Sequence, residues 1–210
     1  IIMKRNSNYN RLYDGNLSNN KHGAYLRNTK ENNIESSFIN DNDIGVLLIE
    51  NSTSNRFRDS EIESLEDDLY IYTSSSNSYN DNSLYNTSFS DERVRFNCFG
   101  EDTCSYSRFW DLRARVYEYD NTIISDTIVE VRNKFEEEVY RGFSDSNGEV
   151  ETELKEYTRR PESYNYFTNY TINANYDSRS AYNSTDLNRN EDVVLKLEKP
   201  EVLEPEIEVI

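Results

Sequence analysis

HGAYLRNTKENNIESSFINDND (residues 22–43) and IGVLLIENSTSNRFRDSEIES (residues 44–64) are two consecutive copies of one unit, and the spacing that relates them extends in both directions. Ile2, Tyr25, Leu48, Ile71 and Val94 form one apolar column with four steps of 23 residues. Leu12, Ile34, Phe57 and Tyr79 form a second, with steps of 22, 23 and 22; Leu17, Ile39, Ile62 and Leu84 form a third with the same steps. Three apolar columns in one register mark a repeat architecture, in which each unit buries its apolar face on its neighbours. Asparagine lines up as well. Asn10, Asn32, Asn55 and Asn77 each stand two residues before the second column, and Asn28, Asn51, Ser74 and Asn97 make another column with steps of 23. Asn is common in turns because it tolerates a left-handed backbone, so these columns support the reading and the apolar ones carry it. Three short strands and three turns per repeat predict a parallel β-helix of about four coils over residues 1–104. Stacked Asn amides at its turns can pair along the axis, as in cross-β stacks. A leucine-rich repeat would need a denser leucine pattern.

After Phe109 the period changes. Trp110, Leu112, Ala114 and Val116 alternate with polar residues, as in a strand with one buried face. Val129 and Val131 repeat the alternation, followed by Val139 with Phe143. Ser146-Asn147-Gly148 reads as a hairpin turn, since Asn and Gly accept positive φ, and Val150, Thr152 and Leu154 return from it. Tyr170, Ile172, Ala174 and Tyr176, then Val193, Leu195 and Leu197, complete an all-β expectation: an antiparallel immunoglobulin-like sandwich over 105–198. Residues 199–210 read as an extended acidic tail.

Composition narrows the partners. Residues 1–104 hold 10 basic and 17 acidic side chains, and residues 105–210 hold 13 and 23, so both halves share in the net charge of −17. Neither half is suited to a phosphate backbone or an anionic membrane surface. Nucleic acid is not expected as a partner, nor direct membrane insertion, because the longest apolar run is Val46–Ile49. So much acid reads first as a solvated surface that keeps an exposed protein soluble. The start at Ile1-Ile2, without an initiator Met, leads us to expect that an upstream segment has been removed.

Residues 2–97 resemble the right-handed parallel β-helix repeats of pectate-lyase-like and other carbohydrate-associated proteins, the two coils quoted above carrying the resemblance. That group holds lyases, hydrolases, epimerases and structural surface proteins, so it implies a fold and leaves the function open. Leu112–Leu197 resembles the carboxypeptidase regulatory-like, or transthyretin-like, immunoglobulin-like domains, through ARVYEYDNTIISDTIVEVRN, EEEVYRGFSDSNGEVETEL and YTINANYDS. These are stalks, spacers and adhesion modules; Asn121-Thr122 stands where they often place a Gly-containing turn. The combination is similar to archaeal cell-surface and S-layer-associated proteins. It implies a non-catalytic structural or adhesive extracellular protein, such as a subunit of an S-layer, sheath or filament. The alternative is a carbohydrate-binding or carbohydrate-cleaving protein using the β-helix face. The partners to expect are copies of the chain itself or other surface proteins, with polysaccharide as a further candidate. An uncapped first coil at Ile2 and the partly alternating segment Val202–Ile210 would permit head-to-tail strand addition.

Few residues offer chemistry. Cys98 and Cys104 are the only cysteines, and their spacing fits neither a zinc site nor a redox pair, so a disulfide is expected in an oxidising compartment, with two separate buried thiols as the alternative. Asn16, Asn51, Asn86, Asn169 and Asn183 head glycosylation sequons, although chance gives about as many in a chain with 28 Asn and 36 Ser plus Thr. Carbohydrate cleavage would need paired acids along one groove, and Asp41 with Asp43, or Glu66, Asp67 and Asp68, are the candidates. They fall in turns, where acids are ordinarily a solvated face. The single His22 has no nucleophile motif beside it, no glycine-rich phosphate loop occurs, and no metal or cofactor is expected.

Overall fold

A computed structural model describes residues 1–199, so the expected tail, Lys199 apart, lies outside the described residues. These hold 19 β-strands and two single 3₁₀ turns, Asp91–Arg93 and Glu101–Thr103. They divide into two compact units. The first comprises Ile1–Asp111, Glu153–Thr168 and Asn188–Asn190, and the second Leu112–Thr152, Asn169–Leu187 and the chain from Glu191 onward.

The first unit is a β-solenoid of about five turns. One face stacks Ile2–Lys4, His22–Arg27, Ile44–Ile49, Asp67–Tyr72 and Val94–Asn97 in parallel. A second stacks Arg11–Tyr13, Asn33–Glu35, Arg56–Arg58, Asn80–Tyr85 and residues 104–109 of the strand Cys104–Tyr117, again in parallel. The antiparallel pair of 157–160 with Ser163–Tyr166 extends that sheet. The third face pairs Phe38–Asn40 with Glu61–Glu63.

The register differs from a uniform step of 23 residues. The inward column on the first face is Met3, Leu26, Leu48, Ile71 and Phe96, not Ile2, Tyr25, Leu48, Ile71 and Val94. Ile2 is 70% exposed while Met3 is buried, and Val94 pairs with Leu69. Coils here vary in length, and a one-residue slip along a strand moves a side chain to the opposite face. On the second face Leu12, Ile34 and Phe57 are followed by Leu84, and Tyr79 is exposed. Leu84 therefore leaves the third column. There Ile39 and Ile62 are followed by Phe89, through the bridge from Glu61 to Ser88.

Polar ladders close the corners. A backbone N–H in a turn between stacked coils has no strand partner, and burying it unpaired is costly. The Asn32 side-chain oxygen, Oδ1, accepts both the Asn10 backbone N–H (3.0 Å) and the Asn10 side-chain amide (2.9 Å). Asn55 does the same for Asn32 (3.0 and 2.8 Å), and Asn82 for Asn55 (3.1 and 2.9 Å). Asn82, not Asn77, continues the ladder, because the turn after Tyr72 lengthens that coil. A second corner uses hydroxyls: the N–H groups of Gly15 and Ser37 each donate to the Oγ of the next coil's serine, Ser37 and Ser60, at 3.1 Å. At the third, Asn42 Oδ1 accepts from the Asn20 N–H (2.9 Å). Glycine is required beside that corner. A Cβ on Gly23 would sit 2.4 Å from Ile39 Cγ2 and 2.8 Å from the Gly45 carbonyl, and one on Gly45 would sit 2.8 Å from the Asp68 carbonyl.

The second unit contains a four-stranded antiparallel sheet in the order Glu138–Phe143, Ile128–Arg132, Tyr170–Tyr176, Arg179–Thr185. Val129, Val131, Ile172 and Ala174 of this sheet are buried, as are Leu112, Ala114, Val116 and Leu195 of the same unit. Residues 112–117 pair in parallel with Glu191–Lys196, a departure from a wholly antiparallel domain. Val139 and Phe143 are exposed, contrary to their alternation with Val129 and Val131. The ladder shifts between Val131 and Arg132, whose partners are Tyr140 and Glu138, and this bulge leaves Val139 outside the pairing. Asp145–Gly148 is a tight turn, with Gly148 at φ +70° and its N–H on the Asp145 carbonyl (2.9 Å). It carries the chain between two sheets, where a hairpin within one was expected. Asn121 adopts φ +71° and supplies the left-handed residue that a glycine would otherwise provide.

Candidate functional site

The outward positions of the second solenoid face alternate with its buried column, so the pairing that stacks Leu12, Ile34, Phe57 and Leu84 inside also aligns a row outside. That row reads Tyr13, Glu35, Arg58, Tyr85 and Phe109. Tyr85 and Phe109 stack at 4.4 Å between centroids, the Arg58 guanidinium lies 4.7 Å above Tyr85, and Lys155 lies 5.5 Å from Phe109. Cations over ring faces are held by the quadrupole of the ring and keep the aromatic surface wetted. Most charges in the row are paired. Arg58 binds Glu153 and Arg11 binds Glu35. Burial acts to raise the Glu35 carboxyl, but hydrogen bonds from Arg11 and Asn33 outweigh it and hold it below the ordinary range.

Two open clefts flank the corner that carries the asparagine ladder. One, of about 500 Å³, is lined by Tyr9, Asn10, Arg11, Glu31, Asn33 and Arg56; the other, of about 600 Å³, by Asn6, Asn8, Asn28, Lys30, Asn51 and Tyr79. Tyr9, Glu31 and Ser54 form the ridge between them. All three have positive φ (60°, 55° and 57°), and each gives its N–H to a carbonyl of the next coil. The clefts are thus walled by amides, phenols and basic groups on a backbone fixed by the buried ladder beneath.

A third constellation caps the last turn. Asp91 accepts from the Tyr106 hydroxyl (2.5 Å) and the Tyr157 hydroxyl (2.7 Å), while Arg159 donates to its backbone carbonyl (2.6 Å). Burial first, then the nearby tyrosine and Asp91 charges, push the Tyr106 phenol far above its ordinary range; burial and Asp91 do the same to Tyr157. Tyr106 and Tyr157 are buried at 0% and 2% exposure, so the two phenols belong to a hydrogen-bonded core element, with the Asp91 side chain half-buried at its edge.

The residues singled out by sequence are scattered. Asp41 and Asp43 are exposed corner residues whose N–H groups bond to Glu63 and Asn20 carbonyls. Asp68 is fully buried, accepting from the Ser64 and Ser90 N–H groups (2.8 Å each) and pairing with Arg93 (3.3 Å). Asp67 pairs with Arg95, and burial raises its carboxyl. Glu66 is exposed. His22 lies 5.8 Å from the Tyr25 ring, its pKa lowered by burial and by Lys21. Cys98 and Cys104 are bonded to each other. Of the sequon residues, Asn16, Asn51 and Asn169 are exposed; the Asn86 amide donates to Asp59 (3.1 Å) and Asp111 (2.5 Å), and that of Asn183 to the Val194 carbonyl (3.1 Å). Sequence reasoning passed over Arg56, Arg58, Tyr85, Phe109 and Asp91. The signal for Arg56, Arg58 and Tyr85 was available, since they sit one residue to either side of Phe57 or Leu84 in the apolar column.

No protein-family model matches the chain, and no characterised protein matches it in sequence. Among solved structures it is similar to one described as the Bacillus anthracis TIE protein, at 12% identity and a TM-score of 0.35. That match covers 50% of this chain and 19% of the other, so the chain spans about a fifth of the length of the structure it matches.

Proposed function

We propose that the chain is a non-catalytic, extracellular structural or adhesive module of a cell surface. The observation that carries this reading is the way the solenoid is held. Its corners are cross-linked, coil to coil, by side-chain hydrogen bonds between buried Asn and Ser residues, and its last turn bears a Cys98–Cys104 bridge. Such a scaffold resists local opening while presenting a charged, hydrated exterior, which suits an exposed position. The bridge supports an oxidising compartment. A right-handed β-helix of the pectate-lyase-like kind is the finer description we adopt for the first unit, and an immunoglobulin-like sandwich for the second; the buried alternation of Val129, Val131, Ile172 and Ala174 supports the latter. Assembly with copies of itself or other surface proteins, in an archaeal S-layer, sheath or filament, is part of the same proposal, as is glycosylation at exposed sequons.

Protease shaving of intact producing cells tests the location. Peptides of this chain should be released without lysis; recovery only after lysis would overturn the reading. Incubation with polysaccharides tests the absence of catalysis, and depolymerisation lost on changing Asp41 and Asp43 together would overturn it. A second reading, carbohydrate binding, is favoured by one observation: the two corner clefts are lined mainly by Asn amides and Tyr rings, groups that satisfy sugar hydroxyls and cover sugar faces.

A further inference from the structure

We infer that the basic face of the first two coils, around Lys4, Arg5, Arg27 and Lys30, binds the acidic segment of residues 200–210 of a second copy of this chain. The inference rests on the self-assembly reading above and names the two surfaces that meet. Its first support is the distribution of charge. Residues 1–30 hold six basic side chains and one acidic, a net of +5, whereas residues 31–210 hold 17 and 39, a net of −22. Lys4, Arg5, Arg27 and Lys30 are all exposed and form no ion pair among the described residues. Glu50, which feels the Arg27 charge, is already bound by the Ser74 and Ser78 hydroxyls (2.7 Å each). The arrangement has a cost. Lys4 and Arg27 are register partners on adjacent coils, with the Arg5 N–H on the Arg27 carbonyl (3.0 Å), and like charges directly opposite one another destabilise a sheet. A feature that opposes the fold without compensation inside it is expected where a function uses it, and clustered cations on a chain of net charge −17 attract an acidic partner.

Complementarity is the second support. Ile2 and Tyr25 are a register pair on the same outward side as Lys4 and Arg27, since Met3 and Leu26 between them are buried. An apolar row, Ile2 and Tyr25, therefore runs beside a cationic row, Lys4 and Arg27, at two residues' distance along the strands, about 6.6 Å. The Lys4 ammonium lies 5.2 Å from the Tyr25 ring. Residues 200–210, PEVLEPEIEVI, lie outside the described residues, and their sequence is the counterpart: four glutamates, no cation, and Glu206 and Glu208 alternating with Ile207 and Val209. Successive side chains of an extended segment point to opposite sides. Laid along the solenoid axis between the two rows, this one turns its glutamates to Lys4 and Arg27 and its aliphatic side chains to Ile2 and Tyr25. Acids elsewhere are less available, because arginines hold many of them: Arg95 on Asp67, Arg115 on Glu149, Arg179 on Glu118. The opposed charges give rate and specificity to the encounter, and the apolar row excludes water from it. Two different surfaces meet, so the contact is heterologous and builds an open chain or a ring.

Sedimentation velocity of the whole chain, over a concentration series at low and high salt, tests the contact. The chain should associate with itself, and less so as salt rises. Lys4→Glu with Arg27→Glu should weaken association at least tenfold, and so should Glu206→Lys with Glu208→Lys. Lys134→Glu with Lys196→Glu, which matches the first pair in charge change but lies on the second unit, should alter it less than twofold. Circular dichroism confirms that the variants are folded. Mixing the two weakened variants should restore association, because each then presents the charge that the other has lost. A synthetic peptide of residues 199–210 should dissociate assemblies of the parent chain, a result that depends on no variant. A chain that stays monomeric at every concentration, a control loss equal to that of the first pair, a mixture that does not recover, or single-stranded DNA binding more tightly than the peptide would each overturn the inference. A monomeric chain that is nonetheless shaved from intact cells refutes this contact alone; a chain found only inside cells refutes the surface reading and leaves the association result standing.

Discussion

Asn55→Ala isolates the contribution of the corner ladder. Asn55 is fully buried, and its side-chain oxygen Oδ1 accepts the Asn32 backbone N–H at 3.0 Å and the Asn32 side-chain amide at 2.8 Å. Truncation strands both donors within a corner that holds Asn32 at 1% exposure. Each stranded buried donor costs ~1–3 kcal/mol, so the variant should lose about 2–6 kcal/mol before any relaxation or water entry. The Asn82 oxygen keeps the Asn55 backbone N–H (3.1 Å), which is why that group is left out of the sum. Asn97→Ala, at an exposed position, should stay within ~0.5 kcal/mol and serves as the control. Asn55→Asp adds a sharper discrimination. Ionised, it places a buried negative charge against the Asn82 carbonyl oxygen; protonated, it can donate to that oxygen as the amide did. Burial raises the carboxyl pKa of this variant above its unfolded value of ~3.9, so the protein should be at its most stable, relative to the parent, below that pH and lose stability as pH rises through the folded value. Urea unfolding followed by Trp110 fluorescence, at pH 4 and pH 7, reads all three. Asn55→Ala no more destabilising than Asn97→Ala would refute the ladder as a source of stability, and an Asn55→Asp penalty independent of pH would refute the assigned hydrogen-bond directions.

The register makes a paired prediction: Met3→Asp, at a buried position, should cost ~3 kcal/mol or more, whereas Ile2→Asp, one residue away and 70% exposed, should be near neutral in the same urea assay. Tyr106 and Tyr157 have phenol pKa values raised above the unfolded ~10, so their contribution is complete below pH ~10 and is lost as pH climbs from there toward the folded values. Absorbance at 295 nm should then show tyrosines that ionise only together with loss of the native circular dichroism signal; a smooth titration of every tyrosine in folded protein would contradict their burial. Replacing Cys98 and Cys104 together by Ala opens a loop with a sequence separation of six, and chain entropy puts the loss at about 2 kcal/mol. Urea midpoints that coincide for parent and variant would show that the bridge adds nothing.

The sequence by itself determined the solenoid, because stacking identical strands demands apolar residues at a nearly constant interval. Ile34 above Phe57, Ile39 above Ile62 and Asn32 above Asn55 all stand where the spacing put them. It also determined the alternating core strands of the second unit, such as Val129 with Val131 and Ile172 with Ala174. What only the tertiary structure decided was the length of each coil. A turn can absorb an extra residue or several without disturbing the strands on either side, so a fixed interval drifts. The fixed interval puts Ile2 and Tyr79 in the core and Asn77 in the ladder, and Met3, Leu84 and Asn82 hold those places instead. The bulge beside Arg132 displaced Val139 for the same reason: an inserted residue changes the face without changing the composition. The candidate site was less legible still. Arg56 lies in an ordinary polar stretch, and its contact with the Tyr85 ring is a property of neighbours on adjacent coils. Asp91 gains its two tyrosine donors from positions 15 and 66 residues away in sequence, contacts that only the folded backbone brings together.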